Sequence, residues 1–374
     1  MKILIVRTWP DQLNLNSYNV QEVGLASALV RAGHQCDIVL YLQEGKSHIQ
    51  RMPDGVCIYW KRGINILKNG FFPGIRRIMR EYDVVQVHEY DQIQSWMIYT
   101  FSGARVVLYH GPYFDEFNHG YNAKCRVFDK MFLRLSRKVQ VTLPCVAKSP
   151  LARDFLIDKG FRNVTSVGVG LNTAVFSLQE GKFSRISDSM CADKINIIYV
   201  GKFEKRRNIR LLIDIYRKIL QKHKNVHIVM VGNGEQEYMS SVMPELSEMI
   251  AADELSYFDK ASQNELREAY LKADIMLFPT NYEIFGMVLL EAMYFGVACI
   301  SSLNGGSSEL IETQEDGMIM ENFDCDEWVR AADYLIGNSE KRREMQEKAR
   351  IKIEKNYTWD SIAGRFLKVY EEMV

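Results

Sequence analysis

Short β-branched runs and amphipathic stretches alternate along this chain, and the alternation starts again near its middle. Residues 2–6, 36–40, 84–87 and 105–109 read as buried strands. Residues 20–32, stopped by Gly33-His34, and residues 92–100 read as helices between them. Strand, helix, strand in this order predicts a parallel sheet with helices on both faces. After a polar stretch at 179–193 the pattern resumes with a strand at 195–200, a helix at 209–221 and a strand at 226–231 that leads into Gly232-Asn233-Gly234-Glu235. A strand at 275–278 then ends at Pro279-Thr280, and another follows at 298–301. The expected class is α/β, two doubly wound domains in series with the junction near 178–193. Tyr357-Thr358-Trp359-Asp360 opens a separate, apolar-patterned terminal helix that runs to Tyr370. At 374 residues the chain is long for one core and comfortable for two.

The formal net charge of zero hides an asymmetry: residues 1–178 hold 22 Lys and Arg against 14 Asp and Glu, and the rest hold 25 against 33. Opposed halves imply two domains with different partners. The basic half suits an anionic membrane or a phosphorylated acceptor. Nucleic acid is disfavoured, because no recognition motif accompanies the charge. Seven scattered cysteines with no Cys-x-x-Cys pair argue for reduced thiols in a cytoplasm, and against zinc or a disulfide framework. No run is long enough to span a bilayer, and the opening Met-Lys-Ile-Leu-Ile-Val-Arg is too short for a signal peptide.

Glu291 is the only charge between Phe285 and Ala298. A helix this apolar is buried all round, and a buried carboxylate without a partner is costly. Two readings follow: a structural carboxylate with a backbone partner, or a ligand site. The second gains from Glu283 in the preceding loop and from Gly286 at the helix start, where backbone N–H groups lack intrahelical partners. A basic run, Lys202, Lys205, Arg206 and Arg207, directly follows the strand 195–200. Cations at the carboxyl end of a strand suit a diphosphate. His88 and His110 also stand at strand ends, where ligands of such sheets sit.

Gly201-Lys-Phe-Glu-Lys-Arg-Arg207, Gly232-Asn-Gly234, Glu283-x7-Glu291 and Gly305-Gly306 together resemble the retaining, two-Rossmann-domain (GT-B type) glycosyltransferases of family 4, the glycosyl transferases group 1. The likeness covers essentially the whole chain, including His-Gly-Pro at 110–112 and the closing Trp359 helix. It implies two Rossmann-like domains facing a central crevice, 1–178 on the acceptor side and 190–357 binding the sugar nucleotide. The terminal helix, about 358–374, would cross back to the first domain. Glu291 resembles the acid that grips the ribose, and Glu283 the one that contacts the transferred sugar. Backbone N–H groups of Phe285, Gly286 and Met287 would bind sugar and phosphates. Lys202 and Arg207 match the paired cations on the diphosphate, with Lys and Arg exchanged relative to the usual order. His110 matches the histidine near the donor sugar, and the base pocket would lie around Asp259-Lys260-Ala261. The family often has Gly-Gly after the first strand, whereas here the loop from Trp9 to Ser17 contains no glycine. Asn16 and Ser17 are expected to cap the next helix, with diphosphate contact from this loop possible only over a tighter space.

The expected reaction is retaining hexosyl transfer by front-face attack, a donor phosphate oxygen taking the acceptor's proton. Lys202, Arg207 and the helix end at Gly286 would stabilise the leaving charge. No divalent metal and no cofactor are expected; the one Asp-x-Asp triplet, Asp324-Cys-Asp326, reads as acids in a helix's first turn. Partners would be a nucleotide sugar and a glycan, lipid-linked or small-molecule acceptor used in cell-surface polysaccharide or glycoconjugate synthesis. Residues 61–80, with Lys61, Arg62, Lys68, Arg76, Arg77 and Arg80, and residues 124–138, with Lys124, Arg126, Lys130, Arg134, Arg137 and Lys138, mix cations with apolar residues. Either they are helices on the inner face of a membrane or ordinary amphipathic helices on the sheet. An epimerase, a phosphorylase of the same fold and an inactive binding module are the competing functions. The absence of Gly-x-Gly-x-x-Gly after any strand excludes a plain NAD dehydrogenase.

Overall fold

The computed structural model describes residues 1–66, 68–177 and 184–374, so Leu67 of the first basic stretch and positions 178–183 of the expected junction lie outside the described residues. The chain divides into two compact units, Met1–Asn172 with Tyr357–Val374, and Thr173–Asn356.

The first unit holds strands β1 (Lys2–Val6), β2 (Gln35–Leu42), β3 (His48–Arg51), β4 (Cys57–Arg62), β5 (Ile64–Ile66), β6 (Asn69–Phe71), β7 (Val84–His88), β8 (Val106–His110), β9 (Pro144–Ala147) and β10 (Asn163–Ser166). Eight of them form one sheet in the order β10-β9-β8-β7-β1-β2-β4-β3. All pairings in it are parallel except β3 with β4. The order reverses between β1 and β7, which makes the carboxyl ends of those strands the crevice of the sheet. β1, β7 and β8 are buried throughout their lengths, apart from Lys2, as near-continuous apolar runs in a doubly wound sheet require.

The helix Trp359–Glu371 closes this unit by lying on the helix Gln21–Arg31. Its Trp359 ring fills the space over two glycines: a Cβ on Gly24 would sit 2.2 Å from it, and one on Gly170 2.5 Å. Trp359 Nε1 donates to Asn19 Oδ1 at 2.8 Å, and Asn19 Nδ2 donates to the Gly170 carbonyl at 3.0 Å. Burying Trp359, Phe366 and Tyr370 contributes roughly 1.5–3 kcal/mol for each large side chain.

Two expectations fail here. Residues 61–80 form no long helix: they run from the end of β4 through the β5–β6 hairpin to the short helix Ile75–Met79. Gly63 and Gly70 break the apparent periodicity, and Gly70 packs its backbone on Thr8, where a Cβ would lie 2.7 Å from the carbonyl oxygen. The hairpin thereby supplies the close approach that the glycine-free loop after β1 lacks. Asn16 and Ser17 cap nothing. The helix begins only at Gln21, after Val20 and a left-handed Asn19 (φ 49°), with no side-chain cap. The backbone N–H groups of Asn16 and Ser17 turn back onto Asn14 instead.

The second unit contains β11 (Ile195–Val200), β12 (Val226–Val231), β13 (Leu255–Phe258), β14 (Ile275–Phe278), β15 (Ala298–Ser302) and β16 (Met318–Met320), all parallel, in the order β13-β12-β11-β14-β15-β16. Its reversal lies between β11 and β14. Residues 124–138 are likewise not one helix but the end of His119–Met131, the turn Leu133–Ser136 and the start of Arg137–Thr142; the other expected strands and helices are present with ends shifted by one or two residues. Asp324 caps the helix Cys325–Gly337 by accepting from the Glu327 N–H, and Asp326 pairs with Lys218 at 2.6 Å, so the Asp-x-Asp triplet does the work of a first turn.

Candidate active site

In the second unit, glycines decide how the loops at the switch point lie. A Cβ on Gly232 would sit 1.9 Å from the Gly201 carbonyl oxygen, and one on Gly234 1.8 Å from that of Phe203. Only glycine lets the loop after β12 pack against the basic loop after β11, and Phe203 N–H donates to Asn233 O across the contact at 2.8 Å. Gly305 and Gly306 do the same for the loop after β14, where Cβ atoms would lie 2.4 Å from the Glu283 carbonyl oxygen and 2.0 Å from that of Phe285.

So held, the loops after β11 and β14 interlock. Arg207, buried and lying over the Phe278 ring, reaches Glu283 Oε2 with its Nη2 at 2.6 Å and donates from Nη1 to Thr280 Oγ1 at 3.3 Å. Arg206 pairs with Glu204 at 2.7 Å, approaches Glu283 at 3.4 Å and donates to the Tyr282 carbonyl. Asn208, left-handed at φ 52°, donates to the Pro279 carbonyl at 2.9 Å. Lys202 is exposed, without a carboxylate partner among the described residues, and lines a cavity of about 770 Å³ with Lys205, Asn233, Gly234 and Tyr238. Two guanidinium groups on one carboxylate, next to a helix start, form an anion site with an acid at its edge.

The helix Met287–Tyr294 starts at Gly286, left-handed at φ 75°, and buries Glu291. The hydroxyl of Tyr270 donates to Glu291 Oε2 at 3.4 Å, so the carboxylate has a side-chain partner rather than a purely backbone one. Lys260 stands just beyond β13, two strands from β11 on the same edge; its side chain is exposed and its carbonyl accepts from Arg185 at 2.6 Å.

In the first unit, the two strand-end histidines part company. His88 turns to Glu22, 3.5 Å away, and to Gln86; burial lowers its pKa to about 4, against the pull of Glu22. His110 is fully buried, with Nδ1 2.5 Å from Glu89 Oε2, its ring stacked on Phe155 and edge-on to Tyr90. Glu89 takes a left-handed backbone, φ 61°, and also accepts the Gly111 N–H at 3.3 Å. Burial pushes Glu89 up, but the His110 charge, its hydrogen bond and Lys148 bring it down to about 2. Asp91 is buried beside it and pairs with Lys124 at 2.8 Å, and Lys124 also lies over the Trp9 ring. Burial raises the Asp91 pKa, and Lys124 opposes that rise. Donor atoms of Glu89, Asp91 and His110 lie within 4.8 Å of one another, a set able to share a cation; His110–Glu89 and Lys124–Asp91 contacts already neutralise its charges. Asn16 and Ser17 lie exposed in the loop after β1.

The structure thus joins Arg207 and Glu283 directly, with Phe285, Gly286 and Met287 following on the same loop and Lys202 opening the loop that carries Arg207. It adds Asn208, which ties the two loops, and Glu89 and Asp91, which pattern reading passed over, and it gives Arg206 and Lys124, named only within basic runs, specific carboxylate partners. Arg206 was visible as one of four cations, and the acids of Glu89-Tyr-Asp91 follow the end of β7, where the strand-end rule applies equally to them.

Residues 188–352 match the family model described as glycosyl transferases group 1. An uncharacterized glycosyltransferase of Methanocaldococcus jannaschii is 25% identical, over 99% of this chain and 98% of that one. The gpi3 subunit of the phosphatidylinositol N-acetylglucosaminyltransferase of Schizosaccharomyces pombe is 21% identical over 93% of this chain and 76% of its own. The crystal structure of Anabaena HepE in complex with UDP superposes with a TM-score of 0.72 at 14% identity, over 100% of both chains. Sucrose-phosphate synthase from Thermosynechococcus elongatus gives 0.72 at 15% identity, over 100% of this chain and 99% of that one. The shared architecture is GT-B: two doubly wound α/β units.

Proposed function

We propose that this chain, residues 188–352 of which match the glycosyl transferases group 1 model, is a glycosyltransferase of that family and moves a hexose from a nucleoside-diphosphate sugar to a carbohydrate, lipid-linked or small-molecule acceptor, with retention of configuration. The observation that carries the reading is the cluster at the β11/β14 switch point, Arg207 and Arg206 around Glu283, with Lys202 on the same loop as the two arginines. A diphosphate takes the guanidinium groups that Glu283 holds in the free protein, and Glu283 is released to a sugar hydroxyl. Charge-assisted bonds from Lys202, Arg206 and Arg207, with the N–H groups of Phe285, Gly286 and Met287, stabilise the leaving phosphate. These cations stand in for a divalent ion, so turnover persists in a chelator, and no cofactor takes part. Glu291 accepts from the ribose, the backbone near Lys260 meets the base, and His110 meets a sugar hydroxyl, with Asn16 and Ser17 bordering the phosphates. The attacking hydroxyl passes its proton to the departing phosphate oxygen, because Glu283, the acid beside the cations, is committed to a sugar hydroxyl rather than to nucleophilic attack. UDP is the favoured nucleotide, by analogy with HepE, which binds UDP.

A peripheral place at the cytoplasmic face of a membrane, in polysaccharide or glycoconjugate synthesis, rests on residues 124–138. There Val127, Met131 and Leu135 are exposed among Arg126, Lys130, Arg134 and Lys138, whereas Phe128 and Leu133 turn inward. No helix among the described residues is long and apolar enough to cross a membrane. Sedimentation with anionic vesicles tests it: binding that weakens with salt and with Leu135→Asp supports the reading, and no binding removes it.

Isothermal titration with UDP and GDP tests the main reading. One nucleotide binds the wild type and Glu291→Ala abolishes the binding; if neither binds, the proposal fails. Slow hydrolysis of a panel of UDP-, GDP- and ADP-sugars then names the donor, and binding without any hydrolysis points to an inactive module.

A further inference from the structure

We infer that Glu89 is the positioning residue of His110, holding the imidazole with its Nδ1 proton on the carboxylate so that Nε2 is the atom offered to a sugar hydroxyl. The inference rests on the reading of His110 as a sugar-facing residue and adds the group through which that histidine is set.

Several independent features of the first unit lead to it. Tyr109 is the register partner of His88, so Glu89 and His110 are the next residues along on neighbouring parallel strands. The Glu89 backbone sits at φ 61°, a conformation that residues with side chains rarely adopt and that persists where the surroundings impose it, often at functional sites. What it achieves here is contact: Oε2 comes within 2.5 Å of His110 Nδ1 and 3.3 Å of the Gly111 N–H. The ring has no freedom to leave, with Phe155 stacked on one face at 5.4 Å between centroids and Tyr90 edge-on at 5.3 Å. Nδ1 meets Glu89 through the 2.5 Å ion-pair contact, and Nε2 is left buried with no polar partner among the described residues. A buried polar nitrogen in that condition asks for a partner.

The neighbouring charges are arranged to leave this pair alone. Asp91, the second acid within reach, is taken by Lys124 at 2.8 Å. Lys148 and the neutral His88 also face Glu89, and the Lys148 charge favours its ionised form. An ionised Glu89 accepts only, so the proton between the two residues belongs to Nδ1, which makes Nε2 of the neutral ring an acceptor. A ring so disposed accepts a hydrogen bond from a hexose hydroxyl, whereas the opposite tautomer would donate one to the hydroxyl oxygen.

Nitrogen-15 NMR of the full-length, histidine-labelled protein at mildly alkaline pH reads the tautomer without a substrate, the His110 signal being identified by its loss in His110→Ala. The wild type is expected to carry its proton on Nδ1, and Glu89→Ala to lose that preference. Glu89→Gln, which keeps the shape but not the charge, is expected to fall between. A bare Nδ1 in the wild type, or an unchanged His110 signal in Glu89→Ala, overturns the inference. Hydrolysis of the donor-sugar panel supplies the second readout: kcat/KM falls about 10- to 100-fold in Glu89→Ala, the range seen when the partner that orients a metal-bound histidine is removed, while UDP affinity stays unchanged. If His110→Ala hydrolyses donor as well as the wild type, the reading of His110 itself has failed. If His110→Ala is impaired and Glu89→Ala is not, only the role of Glu89 has.

Discussion

Both units present a switch point, β1/β7 in the first and β11/β14 in the second, and they furnish it in opposite ways. The second packs its loops through glycines, leaves Lys202 without a carboxylate among the described residues and binds two arginines to one acid. The first closes its charges into buried pairs, Glu89–His110 and Asp91–Lys124, with a strained Glu89 in place of a glycine. The lesson is one of exchangeability. Glu283, 19% exposed, lies nearer solvent than Asp91 and Glu89, at 0% and 7%, and a more buried carboxylate costs more to part from its partner.

Breaking the exchangeable side has the largest expected effect. Arg207→Ala removes the nearest guanidinium from a mostly buried Glu283 and lowers stability by about 3 kcal/mol, the low end for one half of a buried pair. It also weakens UDP or GDP binding by about 100-fold, or 2.7 kcal/mol. Urea denaturation and titration calorimetry read the two losses. A variant that keeps both wild-type values would show that Glu283 and the arginines do not depend on each other.

Acid sharpens the contrast from the other side. His88 in the first unit is held neutral, its pKa lowered from 6.5 to about 4. The unfolded chain therefore takes up a proton that the folded one refuses, and the stability is present above pH 6.5 and lost as the pH falls towards 4. The shift corresponds to about 3 kcal/mol. Glu89, lowered from 4.5 to about 2, extends the loss below pH 4.5 by a similar path. Hydrogen exchange against pH is expected to show the first unit opening before the second, and His88→Gln to flatten the decline between 6.5 and 4.

Smaller tests concern the glycines and the caps. Gly306→Val drives a Cβ into the Phe285 carbonyl; overpacking of this kind costs about 1–3 kcal/mol, and nucleotide affinity falls with it because the Glu283 loop moves. Asp324→Ala loses only a helix cap, about 1 kcal/mol, with nucleotide affinity and chelator resistance unchanged. A metal-dependent change there would return the Asp-x-Asp triplet to the active site.

The periodicity of 195–200, 226–231 and 275–278 placed strands to the residue, because buried parallel strands are apolar along their whole length. The glycine pairs were legible too, since Gly232, Gly234, Gly305 and Gly306 stand where only a missing Cβ allows carbonyl contact. Residues 61–80 misled, because cations interleaved with apolar side chains look the same on a helix and on a twisted hairpin until a pairing partner is known. Asn16 and Ser17 misled for a related reason. Where the helix starts is set by Asn19, which Trp359 and Gly170 hold from far along the chain.

The amino-acid sequence by itself determined the two doubly wound units, the basic loop, the Glu283–Glu291 helix start and their likeness to a glycosyltransferase, all from local spacing. The tertiary structure decided which charges meet. Arg207 finds Glu283 and Glu89 finds His110 because strands distant in the chain are neighbours in a sheet, and strand order and register are properties of the fold that no single segment carries.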